Sequence, residues 1–147
     1  MMTTDVVPQA QLDLVRAFYA ASGYGGGASM DDLVLAARVD GTLAGAVRLC
    51  FEHGVIVLRG MQVNPRHQRQ GIGRALLARC APYLDRGEAW CLPYDHLVGF
   101  YGQAGFARAT PEALPPFLAQ RLAGYLAQGQ RVLAVRRFRA PEAAAAA

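Results

Sequence analysis

The residues best suited to chemistry lie in one stretch, Gln68-Arg69-Gln70-Gly71-Ile72-Gly73-Arg74. An apolar run, Val55 to Val63, precedes it; Asn64-Pro65 stops that run, and a helical pattern starts near Gly71. Backbone N–H groups at a helix start have no partners inside the helix, and together with the helix dipole they form an anion site. Glycine at 71 and 73 lets an anion approach the backbone where a Cβ would obstruct it. Arg66, Arg69 and Arg74 bring guanidinium groups to the same place. The pattern suits the holding of a phosphate or pyrophosphate. The plainer reading of a bare GxG is a strand-to-helix connection with glycines for tight packing. Two familiar phosphate loops fail on single residues. Leu76 stands where the dinucleotide fingerprint needs a third glycine, and the P-loop needs a lysine, which the chain lacks entirely.

Other reactive side chains are sparse. Cys50, Cys80 and Cys91 are odd in number and widely spaced, so buried free thiols are expected. His53, His67 and His96 show no ligand spacing, and no metal is expected. The absence of lysine rules out Schiff-base catalysis. Arg48 and Arg59 interrupt apolar strand patterns, where a charge needs a reason. Either they lie on an exposed sheet face, or they clamp the carboxylate of an acidic ligand, with Gln62 and Tyr24 adding polar contacts.

Elements must hold these groups in place. Val6-Val7-Pro8 reads as a short strand, and Gln9 to Ser22 as a helix with Leu12, Val15, Phe18 and Tyr19 on one face. Gly23-Tyr24-Gly25-Gly26-Gly27 is a flexible loop. Leu33 to Val39, Leu43 to Phe51 and Val55 to Val63 form an antiparallel meander, turning at Asp40-Gly41 and at Glu52-His53-Gly54. The helix from Gly71 carries Ile72, Leu76 and Cys80, and Pro82 predicts a kink or an early end before Gly87. Glu88 to Leu92 is a short strand. Asp95 caps a helix bearing Leu97, Phe100, Tyr101 and Ala104, which Gly105 closes. Pro115-Pro116 opens a helix over Phe117 to Leu126, and Arg131 to Phe138 is a last strand. The order is that of a mixed α/β fold.

The 147 residues suit one domain over residues 1–139, followed by a low-complexity tail at 140–147. No apolar run reaches membrane-spanning length, and the start shows no signal pattern, so a soluble cytoplasmic protein is expected. The net charge is +4, and the arginines are scattered. Only Arg136-Arg137-Phe138-Arg139 is dense; with Arg131 these arginines form either a basic rim or, the plainer reading, a solvated face. Nucleic-acid binding needs a denser stripe and is not expected.

Two segments together resemble the GNAT N-acetyltransferase superfamily. Gln68-Arg69-Gln70-Gly71-Ile72-Gly73 looks like its Q/R-x-x-G-x-G/A motif, with Met61-Gln62-Val63-Asn64-Pro65 as lead-in. Phe100-Tyr101-Gly102-Gln103-Ala104-Gly105-Phe106 is similar to its F-Y-x-x-x-G-F segment, one helix and one strand later. The element order fits from about Val6 to Phe138. The resemblance implies a GNAT fold, with a mostly antiparallel sheet flanked by helices, and acetyl-CoA as cosubstrate. It implies that the backbone of Met61, Gln62 and Val63 bonds the pantetheine arm, and that the amides of Gln68, Arg69, Gln70, Gly71, Ile72, Gly73 and Arg74 hold the pyrophosphate. It implies that Tyr101 protonates the leaving CoA thiolate, where the residue read alone is a core aromatic. One position departs: Tyr94 replaces an asparagine that many members carry seven residues before the tyrosine.

The implied activity is direct transfer of an acetyl group to the primary amine of a small molecule, by a monomer or a homodimer. The strand Val55 to Val63 contains no acid to serve as general base, so deprotonation through water, or an amine that arrives partly neutral, is expected. Cys91 has no basic partner that would make it a nucleophile. Tyr24, Arg48 and Arg59 are the candidate acceptor contacts, and the Gly23 to Gly27 loop closes over the acceptor. The rival readings are a protein or peptide N-acetyltransferase and a non-catalytic acyl-CoA-binding sensor or scaffold.

Overall fold

The computed structural model describes residues 1–138; Arg139 and the expected tail at 140–147 lie outside the described residues. The fold class is α/β, with antiparallel strand pairs and flanking helices. The chain divides into two compact units, Met1–Ala81 and a second beginning at Pro82.

In the first unit the strands are β1 (Met2–Val6), β2 (Leu33–Val39), β3 (Thr42–Glu52) and β4 (Val55–Val63). They pair in chain order, each antiparallel to the next. Asp40 and Gly41 take φ of 50° and 84° between β2 and β3, the left-handed pair that a two-residue hairpin demands. β1 starts earlier than its apolar residues suggested, because Met2 to Asp5 pair with β2 although half of them are exposed. A single 3-10 turn, Gln9–Gln11, leads into α1 (Leu12–Ala21).

β3 is buried on both faces from Ala44 to Cys50. One face packs α1: Leu12, Val15 and Tyr19 meet Val34, Ala36 and Ala46. The alternate face meets α2 (Ile72–Leu84) at Gly45. A Cβ at Gly45 would lie 3.0 Å from Ile72 and 3.1 Å from Leu76, so only glycine lets the helix seat this closely. Pro82 falls in the last turn of α2 and leaves the Ala78 carbonyl without its helical donor. The helix stops two residues later, at Leu84.

The β3–β4 ladder slips once. Ala46 faces Gln62 and Arg48 faces Arg59, so Val47 alone stands opposite both Gly60 and Met61. This is a β-bulge in β4. Gly60 has φ of 68°, which disfavours any other residue.

The second unit holds β5 (Ala89–Cys91), α3 (Val98–Gly102), β6 (Ala107–Arg108), α4 (Pro116–Ala127) and β7 (Val135–Arg137). β7 lies between β5 and β6 and is antiparallel to both. The last strand is shorter than Arg131 to Phe138 because only an isolated bridge, Tyr94 to Val132, precedes it. Asp95 does not cap a helix by its side chain. It opens a 3-10 turn, and its carboxylate instead pairs with Arg131 at 3.2 Å. Arg136 and Arg137 are not a solvated face. Arg136 stacks on Trp90, 4.9 Å from the ring centre, and pairs with Glu88. Arg137 donates to the Ala104 carbonyl at 2.7 Å and pairs with Asp85 at 2.6 Å. No helix among the described residues is long and apolar enough to cross a membrane.

Candidate functional site

β4 ends at Val63, and Asn64 turns the chain. The Asn64 N–H donates to the Ala44 carbonyl at 2.8 Å, and its side chain accepts from the Arg66 N–H at 3.0 Å. A 3-10 turn, Pro65–His67, follows. The Gln68 side-chain amide donates to the Val63 carbonyl, and that of Gln70 to the Arg66 carbonyl, each at 3.4 Å. Arg69 and Gly71 then take φ of 65° and 80°. Left-handed turns of this kind present successive N–H groups as anion-binding concavities. The Ala75 N–H donates to the Gly71 carbonyl at 2.9 Å, which places the partnerless first-turn amides at Ile72, Gly73 and Arg74. Gln68, Arg69, Gln70, Gly71 and Arg74 are exposed, and Ile72 anchors the turn in the core. A Cβ at Gly71 would meet nothing within 4 Å, so the space above the turn is open. The stretch named from sequence is thus one exposed donor surface at a helix start. Met61 is the second residue of the bulge, Gln62 and Val63 follow it directly, and all three are half-buried.

Arg48 is not on an exposed sheet face. It is 4% exposed, and its guanidinium is held from within the chain. It donates to Asp32 at 3.2 Å, to the Tyr24 hydroxyl at 2.8 Å and to the Cys50 sulfur at 3.4 Å. Its Nε finds no acceptor among the described residues. Asp32 neutralises the buried charge. Tyr24 packs against Tyr19 with tilted rings, 4.8 Å between ring centres, and the Tyr19 hydroxyl donates to the Gly60 carbonyl at 2.8 Å. Burial pushes the Tyr19 phenol well above its usual range, so it stays a donor. Structure therefore brings Tyr24 and Arg48 together and sets Arg59 opposite Arg48 on β4. Tyr19, Asp32 and Gly60 were not singled out from sequence. A glycine inside a β-branched strand is the one signal that marked this place, since it points to a bulge.

In the second unit, Tyr101 sits on α3 and is buried. Its ring meets Phe100 and Phe106 edge-on, at 5.0 and 6.2 Å. Its hydroxyl hydrogen-bonds the Cys91 thiol of β5. Tyr94 is half-exposed and stacks on His96.

Cys50, Cys80 and Cys91 are free and buried. Burial pushes each thiol from 9.0 up to about 12, partly offset at Cys50 by Arg48 and at Cys91 by a Leu92 backbone bond and Tyr101. The folded thiols thus keep protons that unfolded thiols lose. Stability from this source is full below about pH 9 and declines as pH rises toward 12. We expect a disulfide-exchange dye at pH 8 to label none of the three thiols in the native protein and all three in denaturant. Fast native labelling would contradict the buried assignment. No cluster of potential metal ligands occurs among the described residues.

A family model for the acetyltransferase (GNAT) domain matches residues 30–108, and the chain belongs to that family. The fold is that of solved GNAT proteins. The chain is 16% identical to N-acetylglutamate synthase from Neisseria gonorrhoeae, solved with coenzyme A and N-acetyl-glutamate, at a TM-score of 0.70. That match covers 96% of this chain and 36% of the synthase, so the chain spans little more than a third of that protein's length. It is 19% identical to the ribosomal-protein-S18-alanine N-acetyltransferase from Escherichia coli, at a TM-score of 0.67 over 97% of this chain and 98% of that one. A third match is the PaiA N-acetyltransferase from Thermoplasma acidophilum, solved with coenzyme A. It is 14% identical, with a TM-score of 0.63 over 94% of this chain and 99% of the other. No curated protein sequence gave a match.

Proposed function

We propose that the chain is an acetyl-CoA-dependent N-acetyltransferase acting on the primary amine of a small molecule. The observation that carries this reading is the exposed turn at Gln68 to Arg74, whose left-handed Arg69 and Gly71 lead into the free amides of α2. Those amides hold the pyrophosphate, and Arg69 and Arg74 add charge. The pantetheine arm lies along Met61, Gln62 and Val63, exchanging backbone hydrogen bonds as an added strand does.

The amine nitrogen attacks the thioester carbon. A C–N bond forms, the C–S bond breaks, and the CoA thiolate leaves with the electron pair. Tyr101 gives that thiolate its hydroxyl proton, and the nitrogen loses its extra proton to water. No acyl-enzyme is needed, and the buried, protonated Cys91 is unsuited to form one.

Two measurements test the reading. Acetyl-CoA titrated into the protein should release or absorb heat at one site per chain. An amine panel assayed for free CoA thiol should show release that depends on a small amine. Release only with peptides bearing a free N-terminus would instead favour a protein acceptor, the reading to which the likeness to the S18-alanine enzyme lends support. Binding without release for any amine would favour a sensor. No heat at saturating acetyl-CoA would sink the proposal.

A further inference from the structure

The buried cluster beneath β4 has no part in the chemistry above. It joins α1, the glycine loop, β3 and the bulge through four polar side chains, Tyr19, Tyr24, Asp32 and Arg48. We propose that Tyr19 and Arg48 are positioning residues for the acyl end of the bound thioester, acting through the Gly60 bulge; the inference rests on the acetyl-CoA reading.

The argument is one of direction. A pyrophosphate on the amides of 68–74 and an arm running back along Val63, Gln62 and Met61 bring the thioester to β4 at the bulge. There the β3 ladder shifts register by one residue, so the β4 backbone at the bulge is not fixed by regular pairing. Gly60 is also without a Cβ to pack. Tyr19 supplies the missing restraint. Its hydroxyl binds the Gly60 carbonyl, and it stands 2.7 Å from where a Cβ at Gly60 would be. Arg48 Nε lies 3.2 Å from the same point. Arg48 is held by Tyr24 and Asp32, which stand on either side of Gly25 to Gly27. One strut therefore sets both the bulge and the loop, and Arg48 acts through them rather than by grasping an acceptor.

Tyr19→Phe keeps the ring and its tilted contact with Tyr24 and removes one hydroxyl. Adenosine 3′,5′-bisphosphate, which carries no arm, should bind the variant as it binds the wild type. Turnover per folded molecule should fall about tenfold, and the KM for acetyl-CoA should rise, the effect of a reacting group displaced by a fraction of an ångström. A double variant, Arg48→Met with Asp32→Leu, removes the buried pair without leaving a lone charge and should give the same split. A lower melting temperature with wild-type kcat and KM in both variants would reduce the cluster to core packing and overturn the inference. Wild-type protein that fails to bind acetyl-CoA would overturn the acetyl-CoA reading itself, before any variant is made.

Discussion

Gly71→Val is expected to abolish the thermal stabilisation that acetyl-CoA confers. At a hundredfold excess over Kd, a ligand that binds only the folded state adds about 2.7 kcal/mol, or roughly 5–10 °C for a chain of this size. The variant should shift by less than about 1 °C under the same conditions. A Cβ at position 71 would meet no protein atom within 4 Å, because the space it enters is the open space above the turn. Its own penalty is therefore mainly that of a β-branched residue at φ of 80°, about 1–3 kcal/mol. The protein should still fold, and circular dichroism checks that it does. A variant that gains as many degrees as the wild type would remove this turn from cofactor binding.

Tyr101→Phe should separate binding from chemistry. The ring's edge-on contacts with Phe100 and Phe106 survive the change. Only the hydroxyl is lost, and with it the hydrogen bond to Cys91. The melting shift with acetyl-CoA should remain, while turnover falls about 10²-fold, the usual contribution of a positioned acid. Rate profiles over pH, with free thiol as the readout, should lose part of their dependence. An unchanged rate would assign Tyr101 to the core alone.

How much of this was legible in the sequence depends on the range of the forces involved. The hairpin at Asp40-Gly41 and the strands on either side are local, and β2 and β4 match their expected bounds, Leu33–Val39 and Val55–Val63. The anion turn is also local, because glycine and helix-start signals lie within a few residues. Arg48 shows the opposite case. A strand pattern cannot tell one buried face from two, and the Asp32 that makes burial possible is sixteen residues away, across a loop. Arg136 and Arg137 were misplaced for the same reason: their partners Glu88 and Asp85 lie 48 and 52 residues away. β6 has two residues and no pattern of its own; it exists because β7 is there to pair with it. Asp95 satisfied the rule for a cap, yet a long-range ion pair with Arg131 claimed its carboxylate.

Gly45 carries a last implication, for evolution and for rates. Ile72 and Leu76 rest almost on bare β3 backbone, so the height of α2 above the sheet is set by an absent methyl group. Residues with side chains generally suit strands better than glycine does. Selection for a firmer strand at position 45 would therefore lift the helix and carry its leading amides away from their anion. The same contact means that those amides are ordered during folding and not by the ligand. Capture of an anion should then be a single encounter, with an observed rate that climbs linearly as ligand is added and shows no plateau from a slow rearrangement.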